Sequence, residues 1–534
     1  MEKNKSKSRF FVKNVAVAVV LFTVTVAFLF SGCTKSQNSN TKNSQSFGIT
    51  PSEGVYYSLF VRSFSDSDND GTGDFNGITD KLDYLHSLGI TGIWLLPIFP
   101  SHSYHGYDVD DYYSVNPDYG TMEDFENLIL QCNKRKINVM IDITFNHSSK
   151  YNDWFIKSKD SNDPHRTWYH WINTPNNTKV WGHNLWNEDS SHPGNYYVGE
   201  FDSGMPDFNL ENTELRAELK KVLKFWLDKG VSGFRFDAAG HIYDKIKMPE
   251  GFVGSTEKSA EFWKEITNYL KSTRSDQYSV AEVWSSTHIR ALSLAGLDSV
   301  FHFDLGDNYI INSIKNNSAG NNNYAHIVQN DFLSYEKYNQ NFIDAPFLTN
   351  HDQARVAGLL RSDTANLKLA AGMYILGQGV PFVYYGEEIG MMSGANDESK
   401  RTPMLWGDKG ETTWASQADC IYNKKTIPVK VQNKDKNSLL NYYRKLINFR
   451  NSHQAFVKGK FSPLDTKNEK ISSWTMEFSE NVSEKAYVYH NLSEEETVIS
   501  VPENLKIVFS TYEKKTKLKE NKLTVPAKCS VVLL

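Results

Sequence analysis

Cysteine is scarce in this chain, four residues in 534, and that scarcity argues against a fold stapled by disulfides. Apart from Cys33, the remaining three (Cys132, Cys420 and Cys529) form an odd set at no metal-site spacing, so they read as unpaired structural residues. Long basic runs are missing as well. Outside the extreme N-terminus Lys and Arg are scattered and the formal net charge is −5, so the electrostatic footprint of a nucleic-acid binder is absent. The apolar run at 15–30 is short of the ~20 residues that a spanning helix needs. Aromatic side chains, by contrast, are plentiful. They make up 13% of the chain, with 28 Tyr and 12 Trp, which suits stacking on ring-shaped ligands such as sugars. The length exceeds one domain of roughly 150 residues, and a 40% hydrophobic content builds a sizeable core.

The N-terminus has the layout of a secretory leader: Lys3, Lys5, Lys7, Arg9 and Lys13, then the apolar run, then Ser31-Gly32-Cys33. Small residues before a Cys resemble a bacterial lipobox, with Phe30 where Leu is usual. Residues 1–33 are therefore expected to be a lipoprotein signal lipidated at Cys33, and 34–52, rich in Ser, Asn, Thr and Lys, a flexible tether. The expected location is outside the cell, tethered to its surface or membrane.

Strand and helix patterns then alternate. Residues 55–61 and 92–97 read as buried strands, 78–88 and 122–134 as helices, and 139–147 as a strand with Asp142, Thr144 and Asn146 on one side. Between the first strand and helix lies an acidic turn, Asp66, Asp68, Asp70, Thr72 and Asp74, spaced like the opening of an EF-hand loop. It reads as a Ca²⁺ site or, alternatively, a solvated turn. Residues 148–205 break the rhythm with many Trp and Tyr and no helical period, as expected of a small inserted domain bordering a cleft. Helices at 211–229 and 257–274 and strands at 231–237, 278–284, 300–304, 346–352 and 380–385 complete eight strand candidates. That is the pattern of a (β/α)8 TIM barrel over 53–147 and 206–454. Short β segments beyond a helix at 439–452 predict a C-terminal all-β sandwich over 455–534.

Within 231–241 side chains alternate, so Phe234 and Phe236 face one way while Arg235 and Asp237 face the other. A guanidinium beside a carboxylate keeps it ionised, as a nucleophile requires, although taken alone the pair would equally order a core. Catalytic groups of such barrels sit at the C-terminal ends of strands. There the sequence places Asp108, Asn146 and His147, Asp237, Glu282, and His351 with Asp352. Carboxylates sharing a cleft push their pKa values apart, so one can act as acid while its neighbour attacks.

Asp142-Ile-Thr-Phe-Asn-His147, Gly233-Phe-Arg-Phe-Asp-Ala-Ala-Gly-His241, Glu282-Val-Trp284, Phe347-Leu-Thr-Asn-His-Asp352 and Met205-Pro-Asp-Phe-Asn209 stand in this order. They resemble the motifs of the α-amylase family of glycoside hydrolases, in the branch between oligo-1,6-glucosidases and neopullulanases. The resemblance implies Asp237 as nucleophile, Glu282 as acid and then base, and Asp352 as stabiliser of the transition state. It implies Tyr107, Asp108, His147, Arg235, His241, His351 and Arg355 as substrate-binding residues, a Ca²⁺ cofactor at the acidic turn, and an α-glucan substrate acted on by a monomer. A second Ca²⁺ site near Asn146 and the backbone at His241 is a feature of the family. Gly240, where many members carry Lys, and Ala281, where Gly is usual, depart from its pattern. The expected reaction is retaining endo-hydrolysis of α-1,4-glucosidic bonds. Its rivals are α-glucosidase, neopullulanase or glucanotransferase action on the same machinery, or a silent glycan-binding lipoprotein, against which the three intact carboxylates argue.

Overall fold

A computed structural model describes residues 50–244, 256–286, 290–291, 293–320, 324–480 and 483–534; the leader, Cys33 and most of the tether lie outside these. Among the described residues no helix is long and apolar enough to cross a membrane, and Cys132, Cys420 and Cys529 are unpaired.

The main body is a parallel sheet of β1 (Tyr56–Leu59), β2 (Gly92–Leu95), β3 (Asn138–Thr144), β4 (Gly233–Asp237), β5 (Tyr278–Ala281), β6 (Ser299–Val300) and β7 (Phe382–Tyr384), in the order β6-β5-β4-β3-β2-β1-β7. Every strand residue is buried, as both faces of a parallel sheet require. The expected strand at 346–352 contributes only a bridge, Ala345 pairing with Phe301. That bridge suffices to close the ring. The Val380 N–H donates to the Asp344 carbonyl at 2.8 Å and the Phe382 N–H to the Pro346 carbonyl at 2.9 Å, while His302 N–H reaches the Ala345 carbonyl at 3.1 Å. Eight positions thus form a barrel, with Pro346 limiting ladder bonds at the seventh.

Helices pack outside. Thr213–Asp228 begins at Asn212, whose side chain accepts from the Leu215 N–H, and Met122–Lys134 opens with a Thr121/Asp124 capping box. The helix expected at 78–88 is two, Phe75–Asp80 and Leu82–Leu88, hinged at Lys81, because the Asp74 cap starts the first turn earlier than apolar spacing suggests. In the insertion one short helix, Asp153–Ser158, forms, in keeping with a stretch that has no helical period of useful length. A three-stranded antiparallel sheet (Trp171–Ile172, Tyr196–Val198, Trp186–Glu188) and a hairpin, Lys179–Val180 with His183–Asn184, complete it. The insertion has its own core of Val180, Leu185, Trp186 and Val198. Beyond helix Leu439–Asn451, a five-stranded and a three-stranded antiparallel sheet make the C-terminal β domain.

Candidate active site

Alternation along β4 sends Phe236 outward onto Trp263, 4.7 Å between ring centres, and Arg235 into the barrel, fully buried. Its partners number more than the single carboxylate expected. Arg235 Nη1 lies 2.8 Å from Asp142 Oδ1 and 2.6 Å from Asp237 Oδ1, and Nη2 lies 2.9 Å from Glu282 Oε2. Strand register explains the first: Asp142 on β3 pairs directly with Arg235 on β4. Glu282 follows β5, and its Oε2 also accepts the Ala238 N–H at 3.1 Å. Ala238 achieves this in the left-handed region, φ 48°, a conformation costly for a residue with a Cβ. Asp352 is held separately. Arg401 Nη2 donates to its Oδ1 at 2.8 Å, and His351 Nε2 lies 3.2 Å from Oδ2. Tyr107 ties the two halves together, its hydroxyl 2.6 Å from His351 Nε2 and 3.1 Å from Asp142 Oδ2.

Four carboxylates therefore share two guanidiniums, and the protonation pattern follows. Burial pushes Glu282 up to about 7; Arg235 opposes this, while Asp237 and Asp352 add to it. Burial likewise raises Asp237, but only to about 6, with Arg235 the main opposing influence. Asp352 moves the other way: burial works against its charge, yet neighbouring cationic groups hold it below the usual carboxylate range. Because burial pushes His351 down to about 3, that imidazole is neutral near pH 7, and Arg401 carries the effect on Asp352. An acid at Glu282 beside ionised Asp237 and Asp352 is the division a two-carboxylate displacement needs.

A profile of the alpha-amylase catalytic domain matches residues 58–459. The chain belongs to the alpha-amylase family. A profile of the alpha-amylase SusG C-terminal domain matches residues 472–532. This alpha-amylase family member is 40% identical over 491 residues to Alpha-amylase 3 of Dictyoglomus thermophilum, covering 90% of this chain and 92% of that protein. It is 30% identical to an oligo-1,6-glucosidase of Parageobacillus thermoglucosidasius, covering 86% and 93%. Its structure is similar to that of an alpha-amylase from H. orenii, with a TM-score of 0.81 at 37% identity, covering 90% of this chain and 99% of that one.

Of the residues singled out as substrate-binding, Tyr107, Arg235 and His351 join the carboxylate network. His147 is buried beside Phe201, 5.3 Å between ring centres. His241 turns its Nδ1 to Glu200 at 2.9 Å and Asp244 at 3.1 Å. Asp108 accepts the hydroxyls of Ser101 and Ser103 and so braces its own loop. Arg355 is buried against Tyr384, its Nη1 donating to the Tyr385 carbonyl at 2.5 Å and its Nε to the Lys400 carbonyl at 3.0 Å, so its charge steadies the backbone that carries Arg401. Arg401 itself escaped the sequence reading because it lies 49 residues beyond Asp352, off any strand end. Asp142, on the same side of β3 as Thr144, carries no role that its motif or its strand position assigns, yet it is a direct partner of Arg235. At Gly240 a Cβ would meet Val283 Cγ1 at an ordinary 3.5 Å, so packing does not require glycine there.

Among the described residues two acidic groups could hold a metal. In the 66–74 turn Asp66, Asp68 and Asp74 offer oxygens within 4.8 Å of one another. Asp70 accepts the Thr72 N–H at 2.7 Å, as Asp66 and Asp68 accept other N–H groups of the turn. The turn winds back on itself where the spacing suggested an even row of ligands. An all-oxygen donor set suits a hard divalent cation. The second group is Glu200, His241 and Asp244, of which the sequence marked only His241.

Proposed function

We propose that the protein cleaves α-1,4-glucosidic bonds inside starch and maltodextrin chains with retention of configuration. The observation that carries this reading is the single guanidinium of Arg235 shared by Asp237 and Glu282, with the higher proton affinity on Glu282. Asp237 attacks the anomeric carbon while Glu282 gives its proton to the glycosidic oxygen; the C1–O bond breaks and a β-glycosyl ester forms. Glu282, now a carboxylate, takes a proton from water, which attacks the same carbon and frees Asp237. Asp352, kept ionised by Arg401, faces the positive charge that develops on the ring.

Action within a polymer is supported by the 40% identity to an alpha-amylase over most of both chains and by two exposed tryptophans. Trp284, 54% exposed, stands two residues beyond Glu282, and Trp181, 63% exposed, packs at 5.9 Å against the His241 ring. Both offer faces to sugars outside the cleaved pair. Mostly intermediate maltooligosaccharides from amylose would support endo-action. Glucose released one unit at a time would favour the α-glucosidase reading, to which the resemblance to an oligo-1,6-glucosidase points. Asp237→Asn should abolish hydrolysis and keep maltodextrin binding; an active variant would refute the mechanism.

The turn at 66–74 takes Ca²⁺, with Asp66, Asp68 and Asp74 as its holders; bound there, the ion supplies charge neutralisation and rigidity to the turn. Residues 1–33 act as a lipoprotein leader, with Cys33 the lipidated residue. Labelled palmitate should enter the wild type and not Cys33→Ala, and equal labelling would refute the anchor.

A further inference from the structure

Trp414 lies in no motif and on no strand, yet it joins the acidic turn to the catalytic carboxylates. Its backbone N–H and that of Thr413 both donate to the Gly71 carbonyl, at 3.1 and 2.8 Å. Gly71 has φ +100°, and any Cβ there would stand 2.7 Å from Thr413 Oγ1, so this close approach requires glycine. A second strap ties the same segment to the turn, the Asp66 N–H donating to the Gly410 carbonyl at 3.0 Å. The indole N–H of Trp414 donates to Ser63 Oγ at 2.8 Å. Its ring lies almost flat on Tyr104, 5.4 Å between centres and 23° between planes, and Phe60 closes the edge of both. Tyr104 in turn donates its hydroxyl to Asp397 at 2.8 Å and accepts from Arg401 Nη1 at 3.1 Å. Arg401 is the guanidinium that binds Asp352.

Each link in this series is a packed ring pair or a hydrogen bond of ordinary length, running from Gly71 through Trp414, Tyr104 and Arg401 to Asp352. We propose that Trp414 is a positioning residue for Asp352, and that the acidic turn acts on the reaction through it. The part played by the turn rests on the Ca²⁺ reading above; the part played by Trp414 does not. Removing the indole leaves one face of Tyr104 uncovered and loosens one support of Arg401, whose Nη1 also pairs with Asp397 at 2.7 Å and whose Nε donates to the His351 carbonyl at 3.3 Å; small misplacements of such groups cost roughly 10²-fold in rate at the upper end. Phenylalanine at 414 keeps a ring over Tyr104 and loses only the bond to Ser63.

The test compares Trp414→Ala and Trp414→Phe with the wild type on maltotetraose. Trp414→Ala should lower kcat about tenfold, with KM much less affected; Trp414→Phe should restore most of the loss. Chelation of the wild type should reproduce the Trp414→Ala loss, and chelating Trp414→Ala should add little, since two perturbations of one connected unit do not add. Adding calcium chloride to the chelated proteins should change the tryptophan emission of the wild type more than that of Trp414→Phe. Equal losses in the two variants that track their unfolding midpoints, or an unchanged kcat in Trp414→Ala, would overturn the positioning role. Calcium uptake with additive losses would overturn the coupling alone. No heat of binding on titrating calcium chloride would remove the turn's part and the Ca²⁺ reading with it, while the Trp414 variants still decide the rest.

Discussion

Replacing Glu282 by Gln should stabilise the fold in alkaline solution while it destroys activity. In the folded protein the Glu282 proton is held up to about 7, against an ordinary 4.5, so the native state binds a proton that the unfolded chain gives up more readily. Such a group favours folding below its unfolded pKa and loses that contribution as pH rises through the folded value. The penalty at pH 8.5 approaches roughly 3 kcal/mol if the whole shift is expressed. Gln carries no charge to desolvate, and its amide oxygen can still accept the N–H of Ala238; what it gives up is the 2.9 Å ion pair with Arg235, which keeps Asp142 and Asp237. A net gain of about 1–3 kcal/mol is expected at pH 8.5, falling towards zero at pH 4. The assay is the thermal unfolding midpoint of both proteins followed by near-UV circular dichroism across that range. Asp352→Asn provides the opposite sign. The Asp352 pKa is depressed, so its charge contributes stability above the ordinary carboxylate range that is lost as pH falls through the folded value, and Asn should destabilise near neutrality. If Glu282→Gln is less stable than the parent by the same margin at every pH, the argument that burial holds a proton there is wrong.

Activity should follow a narrow bell, rising as Asp237 ionises near 6 and falling as Glu282 loses its proton near 7; a kcat/KM flat from pH 5 to 9 would contradict it. Arg401→Met should raise the Asp352 pKa and cost roughly 10²-fold in kcat, whereas a loss confined to KM would show that Arg401 serves binding only. Removing metal with EDTA should lower the unfolding midpoint, and Asp68→Asn should blunt that response; an unchanged midpoint would show that the 66–74 turn holds no stabilising ion.

The period of two along β4 made Arg235 and Asp237 readable as partners, and the barrel rhythm made Glu282 and Asp352 readable as strand-end neighbours, because both follow from local geometry repeated along the chain. Depth and long-range closure do not. Arg355 lies three residues from Asp352, and its side chain packs against Tyr384, a contact that nothing local marks. Arg401 and Trp414 belong to a stretch of short turns after β7, where no periodicity marks which residues fold back over the barrel. In the acidic turn, side chains accept N–H groups of their own loop, an arrangement that the linear spacing of aspartates does not show. The seventh strand shrank to Ala345 because proline at 346 takes away a ladder donor, a cost that hydrophobic patterning does not register.

One guanidinium buried among Asp142, Asp237 and Glu282 makes these carboxylates a single electrical unit: a change of charge at any one resets the proton affinity of the others. Divergence is thereby channelled. The hub tolerates no piecemeal revision, so a lineage in search of new sugars alters the loops and the insertion around it and inherits the chemistry whole. That is consistent with relatives as differently named as an alpha-amylase and an oligo-1,6-glucosidase aligning along most of this chain.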